Sequence, residues 1–216
     1  PDTPAPRTPG ALLVTLVERA LRRARLNDSK ARQVLRDLAA ACTDRGGLVP
    51  ANEVASGTVL ERLHDSGLIV QRGPAIGFAL PAVQQWFTAQ SLQADPSQAA
   101  TISSNPTRLE RWRYALVIAV NTLPYQAVNS ILDPIVRVQP ATASAIVQDS
   151  LVAWAWPGDE DVAAPLAEEC GERLRTAMSS WVSGIGPIAR RIAPVREDGS
   201  VASIGTASEG PWVRYG

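Results

Sequence analysis

The sequence predicts a mainly α-helical protein: a winged-helix domain, then a stacked antiparallel α-helical domain of the HEAT-like kind, then a C-terminal β-hairpin. Apolar residues recur at helical spacing along most of the 216 residues. Two short apolar runs flank Arg72-Gly73-Pro74, which is typical of a hairpin set between helices. In the second half, a capping side chain repeatedly stands directly before a proline, an arrangement favoured in a first helical turn.

The first segment, residues 1–27, is predicted to be a proline-rich linker or cut end followed by a leading helix. The helix is expected from Pro9 to Leu26, with leucine, valine and alanine on one face. Its other face carries four arginines, Arg19, Arg22, Arg23 and Arg25. A solvated face near the helix C-terminus explains these arginines, and contact with phosphate or with an acidic partner is the alternative.

Residues 28–93 are predicted to form the winged-helix domain. Asn27-Asp28-Ser29 supplies an N-cap for a second helix, which Gly46-Gly47 ends. The segment "TVLERLHDSGLI" predicts a third helix with Gly67 near its C-cap. The runs "LIVQRG" and "AIGFAL" then predict a hairpin, and Pro81 opens the next helix. This succession of helices, hairpin and helix is the order of a winged helix, a helix-turn-helix variant.

Residues 94–194 are predicted to be a helical arm, in which Asp95-Pro96, Asn105-Pro106 and Asp133-Pro134 each start a short helix. One buried stripe is expected to consist of Leu109, Trp112, Leu116, Ala119 or Val120, and Leu123. Short helices of this kind predict an antiparallel stack, although no sharp sequence repeat supports the HEAT-like label. In residues 195–216, apolar and small residues alternate around Glu209-Gly210-Pro211, which predicts the terminal hairpin.

The composition disfavours several functional classes. Acidic and basic residues balance at a net charge of zero, so no bulk attraction to nucleic acid or to an anionic membrane is expected. The longest apolar run, Tyr114 to Val120, is too short to cross a bilayer, so no membrane span is expected. Cys42 and Cys170 show no metal-ligand spacing, so both are expected to be reduced thiols of a cytoplasmic protein.

No catalytic, cofactor-binding or metal site is predicted. The nucleotide-binding pattern GxxxxGK[ST] is absent, and the only lysine, Lys30, has no glycine near it. A nucleophilic site would have to use His64, the only histidine, which stands beside Asp65 where an exposed imidazole is ordinary. A single histidine with two scattered cysteines does not make a zinc site.

Two further features concern partners. The third predicted helix, which would enter a DNA major groove, carries Glu61, Arg62, His64 and Asp65. These charges sum to about minus one, so nucleic-acid binding is disfavoured. Trp154 and Trp156 stand two residues apart and cannot both face one side of a helix. One of them is expected either to contact a partner or to pack under the next helical turn.

The stretches "LRDLAAACTDRGG", "VLERLHDSGLIVQRG" and "IGFALPAVQQWFTAQSL" together resemble the winged-helix region that follows the ATPase core in STAND-class NTPases with a NACHT domain. The resemblance covers about residues 9–93, and the helical remainder resembles the arm that follows in such proteins. In that family a phenylalanine on the last wing strand precedes an aromatic-rich helix, as Phe78 precedes Trp86 and Phe87 here.

Two positions depart from the family pattern. Leu80 occupies the place of the family's histidine, which the resemblance implies would touch bound ADP, and Gln85 occupies the place of its glutamate. Leucine cannot donate a hydrogen bond to a phosphate, so a packing role without direct nucleotide sensing is expected. No cofactor is therefore expected in this chain, whereas ATP or ADP with Mg²⁺ is implied for the ATPase core of the parent protein.

The resemblance implies a non-catalytic regulatory and interaction segment of a STAND or NACHT-type signalling NTPase. Its partner would be the ATPase core of the same polypeptide, with homo-oligomer formation on activation. Two alternatives stay open: a winged-helix DNA-binding transcription regulator, and a small hydrolase that uses His64. The regulator would shift labelled DNA in a salt-dependent way, and the hydrolase would lose its activity in His64→Ala.

Overall fold

The computed structural model describes residues 9–26, 29–54, 58–154, 164–185, 203–207 and 210–214. The described residues are mainly helical, as predicted, with a small antiparallel sheet set among the first helices. The helices are α1 (Pro9–Arg23), α2 (Ser29–Arg45), α3 (Thr58–Asp65), α4 (Pro81–Ala94), α5 (Gln98–Ser103), α6 (Pro106–Thr122), α7 (Tyr125–Val138), α8 (Pro140–Trp154) and α9 (Ala164–Ile185). The strands are β1 (Val49–Pro50), β2 (Ile69–Arg72), β3 (Ala75–Phe78), β4 (Ser203–Ala207) and β5 (Gly210–Arg214), and a 3₁₀ turn (Ala51–Glu53) follows β1.

The first sheet is antiparallel in the order β1-β3-β2. Its β2–β3 pair confirms the predicted hairpin, since Arg72 pairs with Ala75 and Ile69 pairs with Phe78. Gly73 takes a φ of +61° in the turn, a conformation that glycine adopts without a Cβ clash. Strand β1 was not predicted, because two residues are too few to show an alternating pattern. Its Val49 is buried and pairs with Ile76.

Helices α1 and α2 end in the same backbone motif. At the end of α1, the Leu26 amide donates to the Leu21 carbonyl at 2.8 Å and the Arg25 amide donates to the Arg22 carbonyl at 3.1 Å. Arg25 has a φ of +55°, so these bonds form a Schellman motif with an arginine in the usual glycine position. The helix therefore stops at Arg23, earlier than the predicted Leu26. Gly46, with a φ of +75°, plays the same part after α2, as predicted from the sequence.

One hydrophobic core lies under the sheet, and we call the part of the chain around it the N-terminal unit (α1 to β3 and the first half of α4). Its buried members come from each of the α-helices and strands of this unit, and the aromatic rings of α4 lie next to the strands. The core residues are Val17, Leu21, Leu26, Ala31, Leu35, Leu38, Ala39, Cys42, Val49, Leu63, Leu68, Ile69, Ile76, Phe78, Val83, Trp86 and Phe87. Burial of apolar surface on this scale is the main force that holds the unit together.

A second core belongs to the helices that follow, and we call that part the helical array (the second half of α4 to α9). It contains the predicted stripe of α6, which is confirmed in full, together with residues of α4, α5, α7, α8 and α9. Trp112 is its largest fully buried side chain. The two cores adjoin, because Ile118 of α6 packs against both of them.

The predicted helix starts have different outcomes. Asn105 does cap α6, because its side chain accepts the Arg108 amide at 3.1 Å. The Asp95 carboxylate accepts the Ser97 amide at 3.2 Å, and α5 begins one residue later at Gln98. The hydrogen bond from the Ser97 side chain is the largest cause that holds the pKa of Asp95 below its ordinary value.

The third predicted start, Asp133-Pro134, is wrong, because both residues lie inside α7. Pro134 has no amide hydrogen to donate to the Ser130 carbonyl. The helix continues nevertheless, since the residues on both sides of the proline are buried in the array. These residues are Ile131, Leu132, Ile135 and Val136.

At the end of the chain, β4 and β5 pair antiparallel, with Ser203 opposite Arg214 and Ala207 opposite Gly210. The predicted terminal strands are thus present, while Glu209 of the predicted turn lies outside the described residues. The winged-helix and HEAT-like labels, and the domain boundaries proposed from the sequence, stay predictions. Among the described residues, no helix is both long and apolar enough to cross a membrane.

Candidate functional site

The abrupt join between β3 and α4 creates an exposed corner, which we call the Leu80 corner (residues 78–81). Leu80 is the N-cap of α4, in extended conformation with φ −124° and ψ 124°, and its side chain cannot accept an amide hydrogen. Its carbonyl accepts the amides of Val83 at 3.1 Å and Gln84 at 3.2 Å, and Pro81 fills the first helical position. The Leu80 side chain, at the position that the resemblance matches to a histidine, is 49% exposed.

Beneath the corner, one aromatic ring of the sheet packs against two aromatic rings of α4. Phe78 lies 5.8 Å from Phe87 between ring centroids, and Trp86 meets Phe87 edge-on at 4.8 Å. Contacts between aromatic rings stabilise the packing beyond what the buried area alone contributes. They therefore fix the direction in which α4 leaves the sheet. Gln85, at the position that the resemblance matches to a glutamate, has a buried side-chain oxygen that accepts no hydrogen bond from the residues described.

A second exposed leucine lies near the corner. Leu48 is 39% exposed and covers the central strand at Gly77, where a Cβ atom would lie 2.6 Å from the Leu48 Cδ2 atom. Glycine at this position therefore allows Leu48 to lie directly on the strand. Leu48 is thus a second partly exposed leucine, placed on the face of the central strand β3.

The outward surface of α3 is acidic. Glu61, His64 and Asp65 are exposed, while the Arg62 guanidinium donates to the Arg25 carbonyl after α1. The one basic side chain of this surface is thus turned toward the chain itself. A helix that entered the DNA major groove would need cations facing the phosphates, so this geometry agrees with the charge argument from the sequence.

A polar junction connects the N-terminal unit to the helical array at the end of α2, and we call it the Asp44 junction (Asp44, Arg108, Arg111 and Trp112). The Asp44 carboxylate accepts two hydrogen bonds from the Arg108 guanidinium, at 2.6 and 2.8 Å, and one from the Trp112 indole at 2.7 Å. Arg111 donates to the Asp44 carbonyl. Charge-assisted, bidentate bonds of this kind specify direction as well as distance, so α2 is fixed to α6 in one orientation.

Beside the junction, hydroxyl and amide groups form a directed chain between α2 and α4. The Thr88 hydroxyl donates to the Gln84 carbonyl at 2.9 Å, so it can only accept from the Thr43 hydroxyl, which lies 2.9 Å away. The Thr43 oxygen in turn accepts from the Gln84 side-chain amide at 3.1 Å. The direction of each of these hydrogen bonds is thus determined. Both threonines are buried, and both of their hydroxyl groups are hydrogen-bonded.

The residues proposed from the sequence as partner contacts lie in different places. Arg19, Arg22 and Arg23 are all exposed on α1, as the sequence predicts for either of its explanations. Trp154 is the last residue of α8, in the part of that helix whose side chains are not described, and Trp156 lies outside the described residues. The structure brings none of these arginines to the Asp44 junction or the Leu80 corner.

Several features of the described residues bear on chemistry. Burial raises the pKa of the Cys42 thiol to about 11, against a smaller opposing effect of Arg45, so the thiol is not a nucleophile near neutral pH. His64 is exposed on α3. A shallow depression of about 490 Å³ at the start of α6 is lined by Pro106, Thr107, Glu110 and Arg111. In the part of the chain that the structure describes, no group of three or more His, Cys, Asp or Glu residues is placed to hold a metal ion.

Sequence reasoning missed the Asp44 junction. Its contacts join residues 64 and 68 positions apart, which no local pattern records. One local signal was available, because Asp44 lies in the last turn of α2, where a carboxylate is disfavoured by the helix dipole. A carboxylate in that place needs a compensating cation from elsewhere in the fold, and Arg108 supplies it.

Comparisons with family models, with curated proteins and with solved structures find no match. The resemblance to STAND-class NTPases therefore depends on the sequence stretches that carry it, and it stays a prediction.

Proposed function

We propose that the chain is a non-catalytic regulatory and interaction segment, in which a winged-helix unit is tied to a HEAT-like helical stack and moves with it. The sheet order β1-β3-β2, with α3 leading into β2, is the order expected of a winged helix and supports this proposal. The short helices that pack in succession after α4 are compatible with the second label.

The single observation that carries the proposal is the course of α4. This helix begins at the exposed Leu80 corner, places Val83, Trp86 and Phe87 in the first core, and then places Ala89 and Leu92 in the second. A continuous helix is stiff over this length. Displacement of the corner by a neighbour would therefore be transmitted to the array, which is the mechanical requirement for a regulatory arm.

The neighbour that we propose is the ATPase core of the parent polypeptide, in the manner that the resemblance to STAND-class NTPases implies. The core would bind ATP or ADP with Mg²⁺ in the cytoplasm, and the Leu80 corner would pack against it. Leu80 offers an apolar contact in place of a hydrogen bond to nucleotide. The nucleotide state would then be read through packing, as a bias between two arrangements of the interface.

The test uses the protein encoded by the full gene. The proposal requires a GxxxxGK[ST] motif upstream of Pro1, on a strand that leads into a helix. In that protein, Leu80→Glu would place a charge in an apolar contact, and we expect nucleotide hydrolysis to change by about tenfold. Val138→Glu, at an exposed apolar position of the array, is the matched control and is expected to stay within about twofold.

Three results would contradict the proposal. They are a gene without the upstream motif, equal hydrolysis rates in Leu80→Glu and Val138→Glu, and saturable ATP binding by the 216-residue chain alone. A mobility-shift assay with labelled duplex DNA at low salt tests the transcription-regulator alternative, and the acidic surface of α3 predicts no shift.

A further inference from the structure

Helix α1 carries an exposed stripe whose two halves differ in chemistry. Leu12, Leu16, Arg19 and Arg23 follow one another at intervals of four, three and four residues, so they lie along one side of the helix. Leu12 is 57% exposed and Leu16 is 39% exposed. The first half of the stripe is therefore apolar and open to solvent, and the second half is basic.

The opposite side of α1 is firmly held. Val17 and Leu21 are fully buried in the core of the N-terminal unit. The Glu18 carboxylate accepts hydrogen bonds from Arg32 of α2 at 2.9 Å on both of its oxygens. This anchoring fixes the rotation of α1, so the stripe is presented outward in a defined direction.

The positive charge of the stripe is not compensated within the described structure. Glu18 is the only carboxylate of α1, and Arg32 occupies it. Arg19 and Arg23 are exposed and form no hydrogen bond or ion pair with a described residue. The helix dipole favours cations at this end, but it provides no hydrogen-bond acceptor for the guanidinium N–H groups. A partner with carboxylates would find both guanidinium groups available.

We propose that this stripe, Leu12-Leu16-Arg19-Arg23, is a docking site for an acidic amphipathic helix of a partner protein, packed antiparallel to α1. In that orientation the N-terminal half of the partner helix lies against the two arginines, and its C-terminal half lies against the two leucines. Carboxylates in the N-terminal half would pair with the arginines and would also stabilise the partner's own dipole. The partner helix is thus expected to carry glutamate or aspartate in its N-terminal half and leucine-like residues in its C-terminal half.

The order of residues along the stripe argues against two other occupants. Insertion into a bilayer would bury Arg19 and Arg23 together with the leucines, because all four share one side of the helix. A nucleic-acid duplex would satisfy the arginines but would leave Leu12 and Leu16 against phosphates and water. Only a partner that is itself divided into an acidic and an apolar half suits both ends.

The test measures binding of a fluorescein-labelled synthetic helix of about 20 residues, with glutamates in its N-terminal half and leucines in its C-terminal half, by fluorescence anisotropy. We expect Arg19→Glu with Arg23→Glu, and separately Leu12→Ser with Leu16→Ser, to weaken binding about tenfold each. The matched controls are Arg137→Glu and Val138→Ser on α7, both at exposed positions, and they are expected to change binding by less than about twofold. Circular dichroism checks that every variant is folded.

Equal binding of a scrambled peptide of the same composition would overturn the proposal, because it would reduce the effect to charge alone. Tighter binding of duplex DNA, or of vesicles of anionic phospholipid, would also overturn it. Asp44→Asn disturbs the junction and not α1, so peptide binding is expected to stay within about twofold in that variant. Failure of this proposal is therefore distinguishable from failure of the proposed function.

Discussion

The N-terminal unit and the helical array reach their folds by different means. The N-terminal unit depends on turns: every described residue with a positive φ, namely Arg25, Gly46, Gly67 and Gly73, belongs to it. The helical array has no positive φ among its described residues and depends on apolar stripes that pack around Trp112. The first part is thus specified by local backbone geometry, and the second by the spacing of apolar side chains.

The contact between the two parts is different again, because much of it is polar. Asp44 accepts hydrogen bonds from Arg108 and Trp112, and beside it Thr43 is hydrogen-bonded to Thr88 and Gln84 of α4. Apolar packing tolerates small shifts, whereas bonds of this kind have one arrangement in which every group is satisfied. The junction thus sets the orientation of the two parts, while stability comes mainly from the two cores.

The largest expected effect is that of Trp112→Ala in the array. Removal of this fully buried ring leaves a cavity and also takes one donor from Asp44. We expect the free energy of unfolding to fall by about 3–5 kcal/mol, measured by urea denaturation. Tyr114→Ala, two residues away at a side chain that is 71% exposed, is expected to change it by less than about 0.5 kcal/mol. Similar losses in both variants would contradict the assignment of the core.

A smaller effect is expected at the junction itself. Asp44→Asn removes the charge that Arg108 and Trp112 share, and we expect a loss of about 1–3 kcal/mol in the free energy of unfolding. The matched control is Asp149→Asn, whose carboxylate pairs with Arg113 at 2.8 Å within the array and is 42% exposed. That pair is partly exposed and is expected to contribute about 0–1 kcal/mol. If Asp149→Asn lowers the free energy of unfolding more than Asp44→Asn does, the proposed importance of the junction for stability is contradicted.

Gly184 and Gly77 lie at two kinds of close contact, the first between packed helices and the second on the central strand of the first sheet. An added Cβ at Gly184 of α9 would lie 1.9 Å from the Val136 Cγ1 atom of α7, so Gly184→Ala forces the helices apart. We expect a net loss of about 1 kcal/mol after the gain in helix propensity is counted. Gly77→Ala meets only the end of the exposed Leu48 side chain, which can turn away, so a change below about 0.5 kcal/mol is expected. Thermal unfolding of both variants gives the measurement.

The smallest effect on stability concerns Cys42. In a Cys170→Ser background at pH 8, we expect Cys42 to react with a disulfide reagent at least about 100-fold more slowly than a cysteine placed at exposed Val138. Because the pKa of the Cys42 thiol is about 11 in the folded state and its ordinary value is 9.0, only the unfolded state loses this proton between these values. Stability should therefore fall as pH rises through that window, and the fall should be absent in Cys42→Ala. Fast labelling of the native chain would contradict the burial of the thiol.

The sequence predicted those features that depend on neighbouring residues. Pro81 and the spacing of Val83, Trp86 and Phe87 were enough to predict the corner and the helix after it. The sequence misled where burial overrides a local signal, as at Pro134, which resembles a helix start but lies within α7. It could not predict that Asp44 meets Trp112, because the indole was expected in the core and its one polar atom gave no indication of a partner.

The central claim is that the Leu80 corner and the helical array move as one body because α4 and the Asp44 junction join them. Pulsed electron spin resonance between nitroxides at Arg72→Cys in the hairpin and Val138→Cys in α7 tests it most directly, in a chain with Cys42→Ala and Cys170→Ser. Both labelled side chains are exposed in the structure. We expect one narrow distance distribution, which broadens when Asp44→Asn and Thr88→Val are added. A distribution that is already broad before those changes would contradict the claim.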